Sequence, residues 1–288
     1  MLRNIKQYLK KERLSQPTHV SVGKYSLIAP PGHPIGYHLQ EFKYYSRNVA
    51  RIAKYIEQKY ASYNIIDVGA NIGDTIALLR TEGINQHIYS IEGEPTFYGI
   101  LQKNLIQFDK VECFQRFLGE KTGIAEMAFK QEEGTAKLNY SDQTSINIQS
   151  LDDFIKENSI SDVKLLKIDT DGFDFNILRG SVGLMKTNQP ILFFEYDAFY
   201  LDQLGDDGIS FFNEILRLGY NKMLYYDNYG KLLLTLSTSD KELISQLYSY
   251  MKNKTGAFPY YDVCVIHQCD SELAKLIIEK ESQFFDNG

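Results

Sequence analysis

Basic charge is what this chain has too little of. Its 31 Lys and Arg stand against 37 Asp and Glu, a formal net charge of −6. A nucleic-acid duplex as the main partner is thereby disfavoured, because phosphate contacts need clustered cations. Cysteine is scarce too. Cys113, Cys264 and Cys269 are too few and too scattered for a disulfide framework or a zinc site. The first two lie in apolar, strand-like runs and read as inert core thiols, which suits a reducing, cytoplasmic setting. No apolar run approaches the length of a membrane span, and no repeat or low-complexity segment is found. The opening stretch, 1–16, is basic and weakly amphipathic through Leu2, Ile5 and Leu9, without the apolar core of a signal peptide. A solvated helix is the expectation there, with a peripheral membrane helix as the alternative. The chain has 288 residues, 43% hydrophobic and 24% charged, enough for one large α/β domain and a small extension.

From Asn64 onward, short β-branched or aromatic runs alternate with longer helical patterns, as a parallel sheet requires. Strands are expected at Asn64–Val68, His87–Ile91, Lys110–Leu118, Val163–Asp169 and Pro190–Tyr196. Helices are expected between them, including a single one over Phe173–Met185. Gly123–Lys130 reads as an antiparallel excursion and Gln131–Gln149 as a polar, mobile loop. Near the end, Lys222–Tyr226 and Lys231–Leu236 flank a hairpin turn at Asp227–Gly230. A helix over Asp240–Met251, with Ser239 as its N-cap, then leads to a last strand, Asp262–His267. The expected fold is a Rossmann-like α/β domain over 61–288. Its sheet would be seven-stranded and mostly parallel, with one antiparallel strand and helices on both faces. Residues 1–60 would form a helical extension capping the substrate, with a Pro/Gly loop at Ala29–Gly36.

The most informative stretch is Asn64–Asp74, NIIDVGANIGD, in which an apolar strand runs into a glycine-bearing turn and then a helix. About twenty residues later comes Ile91-Glu92-Gly93-Glu94, where Glu92 can accept both hydroxyls of a ribose. A dinucleotide fingerprint needs a middle glycine for its pyrophosphate. Gly69-Ala70-Asn71-Ile72-Gly73 lacks it, and Asp74 in the first helical turn would repel phosphate. S-adenosylmethionine carries an ammonium and a sulfonium and no phosphate, so a loop bearing Asp67 and Asp74 suits it. The expected cofactor residues are Asp67, Gly69, Ala70, Asn71, Gly73, Asp74, Thr75, Glu92 and Gly93, with Gln115, Arg116 and Phe117 near the adenine and Asp169 at the charged end. The plainer reading makes Asn71 a helix N-cap, with Asp74 completing a capping-box-like pair.

Ligands in open α/β sheets lie beyond the carboxyl ends of the strands, and four of the five expected ends are acidic. Ile66–Gly73, the Glu92 segment, Ser150-Leu151-Asp152-Asp153-Phe154 and Leu165–Gly172, followed by Ile177-Leu178-Arg179-Gly180 and Pro190–Glu195, together resemble the FkbM family of S-adenosylmethionine-dependent methyltransferases. The resemblance covers roughly Tyr63–Asp197. It implies a class I methyltransferase sheet and O-methylation, commonly of sugars in polysaccharide or natural-product pathways. Thr170-Asp171-Gly172 stands where familiar members carry Val-Glu-Gly, and Phe173-Asp174 where they carry a basic or His-Glu pair. The acceptor is therefore left open.

At the reacting centre, Lys167 and Asp169 share one strand face and could orient and activate a hydroxyl; a simple ion pair is the alternative. Glu195 reads as a substrate acceptor or a satisfied structural group. His38, in the extension, is a candidate base or a surface histidine. Asp169-Thr170-Asp171 has the form that nucleotide-sugar glycosyltransferases use to hold a divalent metal, but first-turn helix residues are the better reading and no metal site is assigned. A metal-dependent glycosyltransferase and a non-catalytic cofactor-binding module are the rival functions. The expected partner is a small-molecule or glycan hydroxyl acceptor.

Overall fold

The computed structural model describes residues 17–132, 135–170, 172–253 and 260–284. The basic opening stretch therefore lies outside the described residues. The extension begins with a hairpin, β1 (Thr18–Val22) and β2 (Tyr25–Ala29), turned at Gly23 with φ +57°. It continues into helices α1 (Ile35–Glu41) and α2 (Arg47–Ile56). It is thus not simply helical, and the period-two alternation around Gly23 carried that signal. Helix α2 buries Val49, Ala50, Ile52, Ala53 and Ile56, an i, i+3, i+4 stripe that joins the extension to the main core.

Two βα units and a third strand follow in β3 (Asn64–Val68), α3 (Asp74–Thr81), β4 (His87–Ile91), α4 (Pro95–Leu105) and β5 (Val111–Phe114). Helix α4 starts where Glu94 accepts from the Phe97 amide and Pro95 takes the first turn. The strand expected over Lys110–Leu118 breaks after Phe114. Its second half, β6 (Phe117–Gly119), joins β7 (Gly123–Glu132) and β8 (Thr135–Ser150) in a separate sheet of order β6-β8-β7. The polar stretch expected as a loop is therefore mostly strand. Pairing with β7 satisfies its backbone whatever its side chains.

Helix α5 (Leu151–Glu157), capped by Ser150, leads to β9 (Val163–Ile168). Two short helices, α6 (Asp174–Arg179) and α7 (Val182–Thr187), replace the single expected one. They part where a Cβ on Gly180 would overlap the Gly119 carbonyl and where Asp152 accepts the Gly183 and Leu184 amides. The remaining elements are β10 (Ile191–Tyr196), α8 (Ala198–Gln203), α9 (Ile209–Arg217), β11 (Tyr220–Asp227), β12 (Leu232–Ser237), α10 (Lys241–Met251), β13 (Tyr261–His267) and α11 (Ser271–Phe284). The N-cap of α10 is Asp240, one residue after the expected Ser239.

The main sheet has the order β12-β11-β13-β10-β9-β3-β4-β5. Strands β10, β9, β3, β4 and β5 pair in parallel, and β13 runs antiparallel between β10 and β11. It has eight strands rather than the expected seven, because the second arm of the terminal hairpin, β12, pairs with β11 as an edge. One apolar core lies under the extension, α3, α4 and α11; the other lies under α5 to α10. Strand β3 is buried from Ile65 through Val68 because the sheet is covered on both sides.

Candidate active site

The turn after β3 has three residues in the left-handed region: Gly69 (φ +73°), Asn71 (φ +46°) and Gly73 (φ +89°). A Cβ on Gly69 would overlap the Asp169 carbonyl oxygen, so glycine here allows the ends of β3 and β9 to touch. The amides of Gly69 and Ala70 donate to the Ile91 carbonyl, tying the turn to β4. The N-cap of α3 is Gly73, not Asn71, so the capping-box reading does not hold. Instead the Asn71 amide donates to Glu92 Oε2 at 2.9 Å, and the Glu94 amide donates to Oε1 at 2.9 Å. Burial pushes the Glu92 carboxyl up to about 7, against the pull of those two amides. The Asn71 side chain meets His33 Nε2 at 3.1 Å.

These groups open onto a cleft beyond the strand ends. Part of its wall is apolar, with Ile91, Phe97, Phe117, Ile148, Phe173 and Ile177 among the lining residues. Of the residues expected at the cofactor, Gly69, Asn71, Glu92, Gly93, Arg116, Phe117 and Asp169 line it. Phe117 lies so close over Gly93 that a Cβ there would overlap its ring. The other expected residues do not line the cleft. Asp67 and Ala70 are buried beneath it, and Gly73 begins α3. Asp74 is packed beside Lys167 and Asp169, with its carboxyl raised mainly by burial. Thr75 faces a second cavity, and Gln115 lies outside the lining.

That second, smaller cavity is lined by Ser46, Asn48, Thr75, Lys167, Glu195 and Asp262. It shares Asp169 with the cleft. Lys167 is 4% exposed, and its Nζ lies 3.0 Å from Asp67 Oδ1, 3.2 Å from the Gly69 carbonyl and 3.5 Å from Asp169 Oδ2. Its neighbouring carboxylates outweigh burial and raise its pKa, so it is a fixed cation. Asp67 is fully buried, and its register partner is Lys167. Asp169, at the end of β9, has a side chain 53% exposed and faces both cavities. The Glu195 amide donates to Asp174 Oδ1, while Asp174 Oδ2 accepts from the Thr170 amide and hydroxyl. Burial pushes Asp174 up to about 7, and Asp262, which accepts from Asn48 at 2.7 Å, up to about 7 as well.

His38 sits on α1 outside both linings. Its ring packs at 4.9 Å from that of Tyr45, and burial, followed by His33, lowers its pKa. Asp171 lies outside the described residues. Among the described residues, no group of three or more His, Cys, Asp or Glu converges to hold a metal, and no helix is long and apolar enough to cross a membrane. Three residues escaped the sequence reading. His33 was visible only as part of a Pro-rich loop, while Asn48 and Asp262 reach the site through packing alone.

The sheet order and the cleft beyond the ends of β3, β4 and β9 define an α/β protein similar to class I methyltransferases. The methyltransferase FkbM domain matches residues 67–225, and the chain belongs to that family. No curated protein matches it at a significant level. Similar solved structures include a precorrin-6y C5,15-methyltransferase from Geobacter metallireducens GS-15, with 12% identity, 72% of this chain and 81% of that one covered, and a TM-score of 0.39. A putative caffeoyl-CoA O-methyltransferase from Staphylococcus aureus shows 10% identity, 76% and 82% coverage, and a TM-score of 0.39. The Methanococcus jannaschii fibrillarin pre-rRNA processing protein shows 12% identity, 72% and 67% coverage, and a TM-score of 0.41.

Proposed function

We propose that this methyltransferase uses S-adenosylmethionine to methylate a hydroxyl of a sugar or of another glycan or natural-product precursor, in a cytoplasmic setting. Glu92 carries the reading. It is an acceptor-only group when ionised, held by two backbone amides at the edge of the cleft, and poised near neutrality. The donor set fits the cofactor: Glu92 would accept the ribose hydroxyls, Phe117 and Ile91 would flank the adenine, and Asp169 would face the cationic end. When bound, the cofactor supplies an electrophilic methyl group on a sulfonium.

Asp169 would be the catalytic residue, accepting the proton of an acceptor hydroxyl entering from the side of the second cavity. Lys167 would orient Asp169 from behind rather than act as a base, since Asp67 and the Gly69 carbonyl hold its ammonium. Glu195 and Asp262 would accept further hydroxyls of the acceptor. His38, its ring tilted against that of Tyr45, would act on the shape of this side rather than on the proton.

Calorimetric titration with S-adenosylhomocysteine, with and without Mg²⁺, tests the cofactor. Micromolar binding is expected, weakened about tenfold to hundredfold in Glu92→Ala, the range for hydrogen bonds to a charged acceptor. Turnover of labelled methyl donor on hydroxylated acceptors is expected to be lost in Asp169→Ala. Unchanged affinity and activity in both variants would sink the reading. Heat from a nucleotide sugar with metal in place of S-adenosylhomocysteine would move the assignment to a glycosyltransferase.

A further inference from the structure

The extension reaches the turn after β3 through His33. The Ile35 amide donates to His33 Nδ1 at 3.3 Å. Nδ1 is therefore an acceptor, the ring proton lies on Nε2, and Nε2–H donates to Asn71 Oδ1 at 3.1 Å. The ring also stands edge-on to Phe97, with 6.3 Å between centroids, and Phe97 lines the cleft. Asn71 is the non-glycine residue of the turn held at positive φ, a conformation that costs it free energy unless the surroundings hold it. In that conformation its amide points at Glu92 Oε2. One continuous path thus runs from the α1 amide of Ile35 through the His33 ring and the Asn71 side chain and backbone to the carboxylate on the cleft edge.

We propose that His33 is a positioning residue for the cofactor cleft. By holding the Asn71 side chain it keeps the turn in the positive-φ conformation that aims the Asn71 amide at Glu92, so the extension supports the part of the site that the ends of β3 and β4 supply. The ligand half of this inference rests on the reading given under Proposed function. The geometric half does not, because it concerns the order of the turn in the free protein.

The test uses the full chain with His33→Ala and His33→Gln. The glutamine amide can still donate to Asn71, and alanine cannot. Hydrogen–deuterium exchange of the unliganded protein over 69–74 is expected to be faster in His33→Ala and near wild type in His33→Gln. Calorimetry with S-adenosylhomocysteine is expected to show about two- to tenfold weaker binding in His33→Ala, the worth of one neutral hydrogen bond, and recovery in His33→Gln. Wild-type exchange and wild-type affinity in His33→Ala would overturn the proposal. So would equal losses in both variants, which would assign the effect to ring packing on Phe97. If the wild type binds no S-adenosylhomocysteine, the cofactor reading fails and the exchange rates alone decide. Faster exchange confined to His33→Ala then supports the latch, and unchanged exchange refutes it.

Discussion

At the scale of single residues, the site keeps carboxyl groups where burial disfavours their charge. Glu92, Asp174 and Asp262 are each pushed up to about 7. For Asp262 the unfolded value is about 3.9. Between there and about 7 the folded chain holds a proton that the unfolded chain has released, so this group's contribution to stability falls as pH rises through that window. Asp262→Asn keeps an acceptor for Asn48 and removes the charge. Thermal melts from pH 5 to pH 8 should show a shallower decline than wild type and a higher Tm at pH 8, by about 2 kcal/mol of stability. An identical slope in both proteins would refute this. Glu92 carries the opposite consequence for ligand binding. A ligand whose ribose hydroxyls donate to Glu92 favours the ionised, acceptor-only carboxylate, so affinity for S-adenosylhomocysteine should rise from pH 6 to pH 8 in wild type and lose that rise in Glu92→Ala. Titration at three pH values checks it.

At the scale of elements, the juncture of β3 and β9 is held by charge in an apolar setting. Asp67 and Lys167 face each other in register, with side chains 0% and 6% exposed. Removing one partner strands the other's charge, so Lys167→Met should cost about 3–5 kcal/mol in urea unfolding. Asp67→Asn combined with Lys167→Met should recover much of that loss. Recovery of stability without recovery of activity would separate the pair's structural role from its orientation of Asp169. Asp174 performs the corresponding task between β9 and β10, joining the Thr170 and Glu195 amides across the mouth of the site.

At the scale of the whole molecule, the extension and the last helix clamp each other. Arg51 on α2 forms an ion pair with Glu281 on α11 at 2.7 Å, with side chains 10% and 0% exposed, and also donates to the Gly230 carbonyl. Its guanidinium lies 4.3 Å from the Phe284 ring. Tyr55 donates to the same Glu281 carboxylate. Glu281→Ala should cost about 3–5 kcal/mol, because a buried guanidinium loses its counter-charge. Limited proteolysis should then cut first in the extension or α11. A variant that melts with wild-type Tm and resists cleavage would show that packing of α2 alone holds the extension.

What the sequence determined by itself is what depends on neighbours along the chain. The strand–turn–helix of Asn64–Asp74, Glu92 at the next strand end, and the terminal hairpin all follow from local periodicity, turn chemistry and glycine's freedom at positive φ. The side each carboxylate faces was not legible in that way. Asp67 and Asp169 end adjacent strands in the same style, yet one is sealed under Lys167 and the other opens onto both cavities. The fate of Gln131–Gln149 depended on a strand partner, the break at Gly180 on the Gly119 carbonyl, and the role of His33 on Asn71. Tertiary structure decided these because burial and pairing are set by groups distant in sequence: Lys167 reaches the Gly69 carbonyl across 98 residues, and no local pattern encodes such a meeting.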